Sequence, residues 1–201
     1  MRVLFIGNSH TYFNDMPRIF REIARGNGVE TEVAMLAHGG MGFGFHAEQP
    51  EARFNILYGN YDYIVLQHVA HPFGDEEEMF RDARRLADLI AQTSARPILY
   101  MTWPEKRNPQ GLARMAEAYL RLGRELPARV APVGLAWARY RREHPDQELY
   151  FTDGEHASPL GSRLAAYTIL AAVLERPPVP LTPEDAPLIF SMEESNPDPT
   201  P

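Results

Sequence analysis

Two short segments near opposite ends of the chain carry residues able to do nucleophilic chemistry. The segment Gly7-Asn8-Ser9-His10-Thr11 places a serine directly after a short apolar run. The segment Asp153-Gly154-Glu155-His156 places an aspartate and a histidine three residues apart. A serine hydroxyl is a weak nucleophile until a base removes its proton, and a histidine oriented by a carboxylate can be that base. The residues therefore predict a Ser9–Asp153–His156 hydrolytic triad, provided that the fold brings both segments together.

Attack by a serine creates an oxyanion, which needs hydrogen-bond donors already in place. The sequence offers the backbone N–H of Ser9, the backbone N–H of Gly40 and the side-chain amide of Gln67. Gly40 has no side chain to block a substrate. Gln67 ends an apolar run, so its amide has a second interpretation, in which it satisfies buried backbone groups. Whether Gly39 or Gly40 faces the oxyanion depends on loop geometry.

Alternating strands and helices predict the fold. Apolar runs predict buried parallel strands at residues 3–7, 30–36, 61–67, 97–102 and 129–133. Helical spacing and helix-start signals predict helices from Asn14-Asp15-Met16-Pro17 to Gly26, near 45–53, and at 75–91, 111–126, 135–143 and 159–174. This alternation predicts an α/β fold, a three-layer α/β/α sandwich with a flavodoxin-like, five-stranded, mainly parallel sheet.

The predicted strands place several candidate residues at one edge of the sheet. Ser9, Gly40 and Trp103 each follow a strand, and Gln67 ends one. Ligands of such sheets bind outside the carboxyl ends of the strands. We therefore expect these four residues to surround a common site.

Composition predicts one domain with a tail. The 201 residues indicate a domain at 1–175, followed by a proline-rich segment at 176–201 that we expect on the surface or disordered. A net charge of −7 argues against a nucleic-acid or anionic-membrane partner. No apolar run reaches the roughly 18 residues of a membrane helix, which together with the absence of a leader predicts a cytoplasmic protein. The oligomeric state stays open.

Neither a metal nor a nucleotide cofactor is expected. The chain has no cysteine, which excludes thiolate catalysis and cysteine metal sites. The glycine-rich stretch at 39–44 lacks phosphate-loop spacing and a following lysine, so a turn is the better interpretation. Five histidines fall near the predicted site edge without a zinc-like spacing, and we interpret them as residues of the pocket rim: His10, His38, His46, His68 and His71.

Several of these residues resemble the sequence blocks of the SGNH hydrolases, also called GDSL-type esterases and lipases. Gly7-Asn8-Ser9 is similar to the first block, Gly40 to the second and Asp153-Gly154-Glu155-His156 to the last. The third block departs, because Val65-Leu66-Gln67-His68 replaces the usual Gly-x-Asn-Asp. The resemblance extends from residue 3 to about residue 172 and is closest to branches with glutamine in the third block.

The resemblance implies a serine esterase that hydrolyses a carboxylic ester through an acyl-enzyme. The expected substrate is a small-molecule or carbohydrate ester, with deacetylation of a sugar as the leading expectation. Gly40, Gln67, Trp103 and His10 are then the oxyanion and substrate-binding candidates, and Phe43, Phe45 and His46 are further aromatic residues for the pocket. Trp103 has core packing as its alternative. The altered third block leaves a second function open, a non-catalytic module that binds a glycan or small ligand.

Overall fold

A single parallel sheet forms the centre of the molecule. The computed structural model describes residues 1–191. Its five strands lie in the order β2-β1-β3-β4-β5, and every neighbouring pair is parallel. The strands are β1 (Arg2–Gly7), β2 (Glu32–Ala37), β3 (Tyr63–Leu66), β4 (Arg96–Met101) and β5 (Arg129–Pro132).

Helices connect the strands and cover both faces of the sheet. The α-helices are α1 (Ser9–Tyr12), α2 (Met16–Gly26), α3 (Phe43–Glu48), α4 (Pro50–Tyr58), α5 (Glu76–Ile90), α6 (Gly111–Glu125), α7 (Val133–Glu143) and α8 (Pro159–Leu174). Two 3₁₀ helices occupy Phe13–Asp15 and Pro183–Leu188.

The strands are buried on both faces because their side chains alternate between two cores. Val3 and Phe5 of β1 pack in one core with residues of α2, α7 and α8. Leu4 and Ile6 pack in the other core with residues of α3 to α6. This alternation is the reason that β1 has no polar face. The expected three-layer α/β/α sandwich with a five-stranded parallel sheet is confirmed.

Two of the expected helical segments differ from the structure. Asp15 precedes α2 but makes no side-chain cap, because it adopts a left-handed φ of 56° instead of the extended backbone of a capping residue. Its carboxylate accepts from Arg18 Nε instead, at 2.9 Å. The single helix expected near residues 45–53 is two helices, α3 and α4, which meet at Gln49 because Pro50 cannot continue α3.

The segment after α8 packs against the domain as far as it is described, which corrects the expectation of a surface tail from residue 176. Leu188 and Phe190 are buried in the core that contains α8. Asp185 is also buried, and it accepts hydrogen bonds from Arg163 Nε at 3.0 Å and from the Tyr167 hydroxyl at 2.9 Å. The rest of the expected tail, 192–201, lies outside the described residues. Within residues 1–191, no helix is both long and apolar enough to cross a membrane.

Candidate active site

The fold brings the two ends of the predicted triad into hydrogen-bond contact. Ser9 begins α1 at the carboxyl end of β1, and His156 lies in the loop before α8. His156 Nε2 lies 2.8 Å from Ser9 Oγ, and His156 Nδ1 lies 2.7 Å from Asp153 Oδ2. Because a carboxylate only accepts, Nδ1 carries the proton and Nε2 accepts from the serine hydroxyl. This tautomer is the one that a general base for Ser9 requires.

The loop that carries Asp153 and His156 folds around the carboxylate. Asp153 Oδ1 accepts from the backbone N–H groups of Glu155 and His156, both at 2.9 Å. Gly154 takes a left-handed φ of 73°, which permits the tight turn between them. Burial alone would raise the pKa of Asp153, but the two N–H groups and the His156 ring outweigh it and lower that pKa to about 2. The carboxylate therefore stays ionised and orients His156 at any physiological pH.

The turn that presents Ser9 is held by three buried polar groups. The N-cap residue Asn8 accepts from the His10 N–H through its side chain. Gln67 Oε1 accepts from the Asn8 N–H at 2.8 Å and from the Thr11 hydroxyl at 2.9 Å. A Cβ on Gly7 would lie 2.4 Å from Thr11 Oγ1 and 2.5 Å from Gln67 Oε1. Only glycine fits two residues before Ser9, which is the physical basis of the Gly-x-Ser pattern here.

These contacts correct the expectation for Gln67. Its side chain is buried, and its amide N–H donates to the backbone carbonyl of His68. Both ends of the amide are therefore engaged beneath the site. This position agrees with the second interpretation of Gln67, in which its amide satisfies buried backbone groups. Gln67 is not among the residues that line the cleft around Ser9.

The cleft itself is small and contains the other oxyanion candidates. It has a volume of about 220 Å³ and is lined by Asn8, Ser9, His10, Gly40, Val69, Ala70, His71, Glu155 and His156. Gly40 takes a left-handed φ of 72°, a conformation that favours glycine. Within residues 1–191, no acceptor bonds the backbone N–H of either Ser9 or Gly40. Two donors are therefore free for an oxyanion in this cleft.

Aromatic rings hold His156 from both sides. His10 stacks on it with ring centroids 5.0 Å apart, and Phe13 stacks on it at 4.3 Å. Two rings cannot stack on one face at these distances, so they cover opposite faces. Burial, reinforced by His71 and His156, lowers the pKa of His10 to about 3. His10 is thus a neutral neighbour of the base, at the wall of the cleft.

Four aromatic candidates for the pocket have mostly structural roles. Trp103 is fully buried, stacks on Trp137 at 3.8 Å and donates to the Glu155 carbonyl at 2.9 Å. Phe43 and His46 are also buried, and His46 Nε2 donates to the Gly7 carbonyl at 2.8 Å. Phe45 is partly exposed, but it does not line the cleft around Ser9. Trp103 therefore supports the loop of His156 from below, as the packing alternative implied.

Asn14 is a site residue that the sequence did not single out. Its side-chain N–H groups donate to the Ala157 carbonyl at 2.9 Å and to Ser162 Oγ at 2.8 Å. This ties the segment after Ser9 to the segment after His156, without using the triad. Asn14 adopts a φ of 55°, a left-handed conformation in which asparagine is enriched. The consecutive Asn14-Asp15 before Met16-Pro17 is the only sequence signal for it.

A second, larger cavity lies away from the predicted triad. It has a volume of about 630 Å³, lies between β5, α6 and α8, and is lined by none of the triad residues. Among the described residues, no group of three or more histidine, aspartate or glutamate side chains is placed to hold a metal ion.

Sequence comparisons identify no relative. No protein-family model matches the chain. No curated protein matches it either. The comparison with solved structures is informative instead.

Several solved structures share this fold at low sequence identity. The chain is similar to a DUF4886 family protein from Bacteroides uniformis, with a TM-score of 0.76 and 16% identity over 92% of this chain and 87% of that one. A lipolytic protein of the G-D-S-L family from Veillonella parvula gives a TM-score of 0.63 and 16% identity over 87% and 98%. A carbohydrate esterase family 3 protein from Talaromyces cellulolyticus gives 0.66 and 12% over 87% and 97%. The chain thus shares the fold of these structures, among them a lipolytic protein of the G-D-S-L family and a carbohydrate esterase.

Proposed function

We propose that the protein is a serine esterase that hydrolyses a carboxylic ester through an acyl-enzyme. The observation that carries the proposal is the hydrogen-bonded series from Ser9 Oγ to His156 and on to Asp153, at 2.8 Å and 2.7 Å. Its three members stand in the roles of nucleophile, base and orienting carboxylate. The esterases among the structures with this fold support the same assignment.

In the acylation step, Ser9 Oγ attacks the ester carbonyl carbon while His156 Nε2 takes its proton. The charge that develops on the carbonyl oxygen is met by the N–H groups of Ser9 and Gly40. The resulting imidazolium is stabilised by Asp153. The tetrahedral intermediate then collapses, His156 gives its proton to the leaving oxygen, and the alcohol departs from an acyl-Ser9 ester.

In the deacylation step, a water molecule occupies the place of the alcohol. His156 Nε2 removes a proton from this water, which attacks the acyl carbon. The second tetrahedral intermediate uses the same two N–H donors, and its collapse returns the proton from His156 to Ser9 Oγ. The products are a carboxylic acid, an alcohol and the free enzyme.

A short acyl group suits the site, and deacetylation of a carbohydrate is the finer form of the proposal. A cleft of about 220 Å³ accommodates a small acyl group beside Ser9. The neighbour described as a carbohydrate esterase supports a sugar as the alcohol. A small-molecule alcohol satisfies the same chemistry.

The test of this function is a pair of serine variants. We expect wild-type protein to hydrolyse p-nitrophenyl acetate and to be labelled at Ser9 by a fluorophosphonate, located by mass spectrometry. We expect Ser9→Ala to lose both while keeping its melting temperature (Tm). Ser94→Ala is the matched control, because Ser94 is exposed in the turn before β4. Folded wild-type protein that shows neither hydrolysis nor labelling would contradict the proposal.

A non-catalytic binding module is the second candidate, and the position of Gln67 favours it. With that amide engaged beneath the site, no glutamine side chain reaches the oxyanion, and loss of one donor typically costs 10²–10³ in turnover. A binding module would be stabilised by a glycan or small ester, and Ser9→Ala would leave this stabilisation unchanged. Turnover that depends on Ser9 would reject this candidate.

A further inference from the structure

Three exposed apolar side chains belong to segments that adjoin the cleft at Ser9, outside the residues that line it. Tyr12, Met41 and Phe151 are 38%, 39% and 45% exposed. Each is connected to the site: Tyr12 belongs to the same short helix as Ser9, the Met41 carbonyl accepts from Asn8 Nδ2, and the Phe151 N–H donates to the His156 carbonyl. Large exposed apolar side chains grouped at a cleft indicate a binding surface.

Tyr12 lies on the side of the cleft where the oxyanion donors are. It is three residues after Ser9 in α1, and residues at this spacing share one face of a helix. Its hydroxyl lies 3.3 Å from the position that a Cβ on Gly39 would occupy. The side chain therefore reaches from α1 to the loop that contains Gly40. A group bound at Ser9 meets the Tyr12 ring as it extends out of the cleft.

Phe151 lies on the side of the base. Its ring packs edge-on against Phe13 with centroids 5.4 Å apart, and Phe13 stacks on His156. The leaving oxygen must receive its proton from His156 Nε2, so the alcohol departs along this side. The acyl group is left with the part of the cleft lined by Val69 and Ala70. The alcohol is thus expected to extend out of the cleft between Phe151 on this side and Tyr12 on the other.

We propose that Tyr12 and Phe151 form a platform for the leaving alcohol, and that the preferred substrate is a short-chain ester of an alcohol with a flat apolar face. This inference rests on the proposed esterase function and names its substrate class. An aryl ring and the C–H face of a sugar ring share this chemistry, since both pack against aromatic rings. Tyr12 and Phe151 take the place of Trp103 and Phe43 as the aromatic candidates for substrate contact, because Trp103 and Phe43 are buried.

The test compares three acetates of primary alcohols: 2-phenylethyl acetate, methyl 6-O-acetyl-glucopyranoside and propyl acetate. We expect wild-type protein to show a kcat/KM for at least one flat-faced ester about tenfold above that for propyl acetate, equivalent to about 1.4 kcal/mol. Tyr12→Ala and Phe151→Ala each reduce this ratio at least threefold, and Phe151→Tyr restores it. Which of the two flat-faced esters is preferred distinguishes an aryl alcohol from a sugar.

A control variant and two negative outcomes distinguish failure of the platform from failure of the proposed esterase function. Phe54→Ala is the matched control, because Phe54 is 55% exposed on α4 and its ring stacks on Tyr58 of the same helix, and we expect it to keep the wild-type ratio. A ratio unchanged in both Tyr12→Ala and Phe151→Ala overturns the platform and leaves the esterase intact. A wild-type protein that hydrolyses none of the three acetates but is labelled at Ser9 by the fluorophosphonate overturns the substrate class and the platform, and one that shows neither reaction overturns the proposed function as well.

Discussion

Replacing Gln67 with leucine tests whether this residue holds the Ser9 turn or acts on the substrate. Gln67 makes three hydrogen bonds, accepting from the Asn8 N–H and the Thr11 hydroxyl and donating to the His68 carbonyl. Leucine retains much of the buried volume but can make none of them. We expect Gln67→Leu to loosen the turn that presents Ser9, so that stability and reactivity fall together.

The size of the effect follows from the number of buried groups that lose a partner. Each buried polar group left unsatisfied costs about 1–3 kcal/mol. Partial relaxation of the three partners gives an expected loss of about 3 kcal/mol in the free energy of unfolding. For a chain of this length, each kcal/mol lowers Tm by about 2–4 °C, so a decrease of about 6–12 °C is expected.

Thr11→Val is the graded comparison, because it removes one donor and leaves Gln67 bonded to the Asn8 N–H. We expect it to cost about 1 kcal/mol. The assay is the rate constant for fluorophosphonate labelling of Ser9, measured well below the lower Tm so that both variants are folded. Small misplacements of a catalytic group are costly, so we expect labelling to fall about two- to fivefold in Thr11→Val and more than about tenfold in Gln67→Leu.

One pattern of results would refute this reasoning. If Gln67→Leu lost about 10²–10³-fold in turnover at an unchanged Tm, and Thr11→Val behaved as wild type, Gln67 would be a direct oxyanion donor.

Three further results are expected. Gly7→Ala forces a Cβ against the mutually bonded Thr11 and Gln67 side chains, so we expect a loss of about 1–3 kcal/mol or more in urea unfolding, and an unchanged midpoint would contradict the packing. Asp153→Asn removes the charge that orients His156, so kcat is expected to fall on the order of 10³-fold or more while exposed Asp88→Asn retains it. Burial lowers the pKa of His10 to about 3 and the pKa of His68 to about 4, so both side chains stay neutral in the fold while the unfolded chain binds protons below about pH 6.5. We therefore expect Tm to fall from pH 6.5 towards pH 4, and to fall less steeply in His68→Gln. An equal slope in wild type and variant would contradict this role of His68.

Much of the fold was predictable because its signals are local. The apolar runs of β1 and β3 have no alternation, which is typical of strands covered on both faces. Asp75 caps α5 by accepting from the Glu78 N–H at 2.8 Å, the pattern expected of a helix start. By contrast, the packing of residues 183–190 depends on Asp185 meeting Arg163 and Tyr167, a contact across the fold that composition does not reveal.

The candidate site likewise has residues whose positions could be predicted from the sequence and residues whose positions could not. The contact among Ser9, Asp153 and His156 could be predicted because the hypothesised chemistry requires particular residue types at the ends of elements. The position of Gln67 could not, because the same amide can bond a substrate or a neighbouring turn, and its bonds to Asn8, Thr11 and the His68 carbonyl are contacts that only the fold creates. The position of Trp103 could not be predicted for the same reason, because its stacking partner, Trp137, is distant in the sequence.

The geometry of the triad does not depend on the triad alone. Asn14 joins the segment after Ser9 to Ala157 and Ser162, Trp103 donates to the Glu155 carbonyl, and the Tyr100 hydroxyl donates to the His10 carbonyl at 3.2 Å. These bonds connect the two halves of the site through the ends of β1, β4 and α8. Because they use none of the atoms that would react, they can hold Ser9 and His156 in register during the proposed proton transfer. Such preorganisation is what lowers the barrier in a hydrolytic site, since the donors and the base do not reorganise during the reaction.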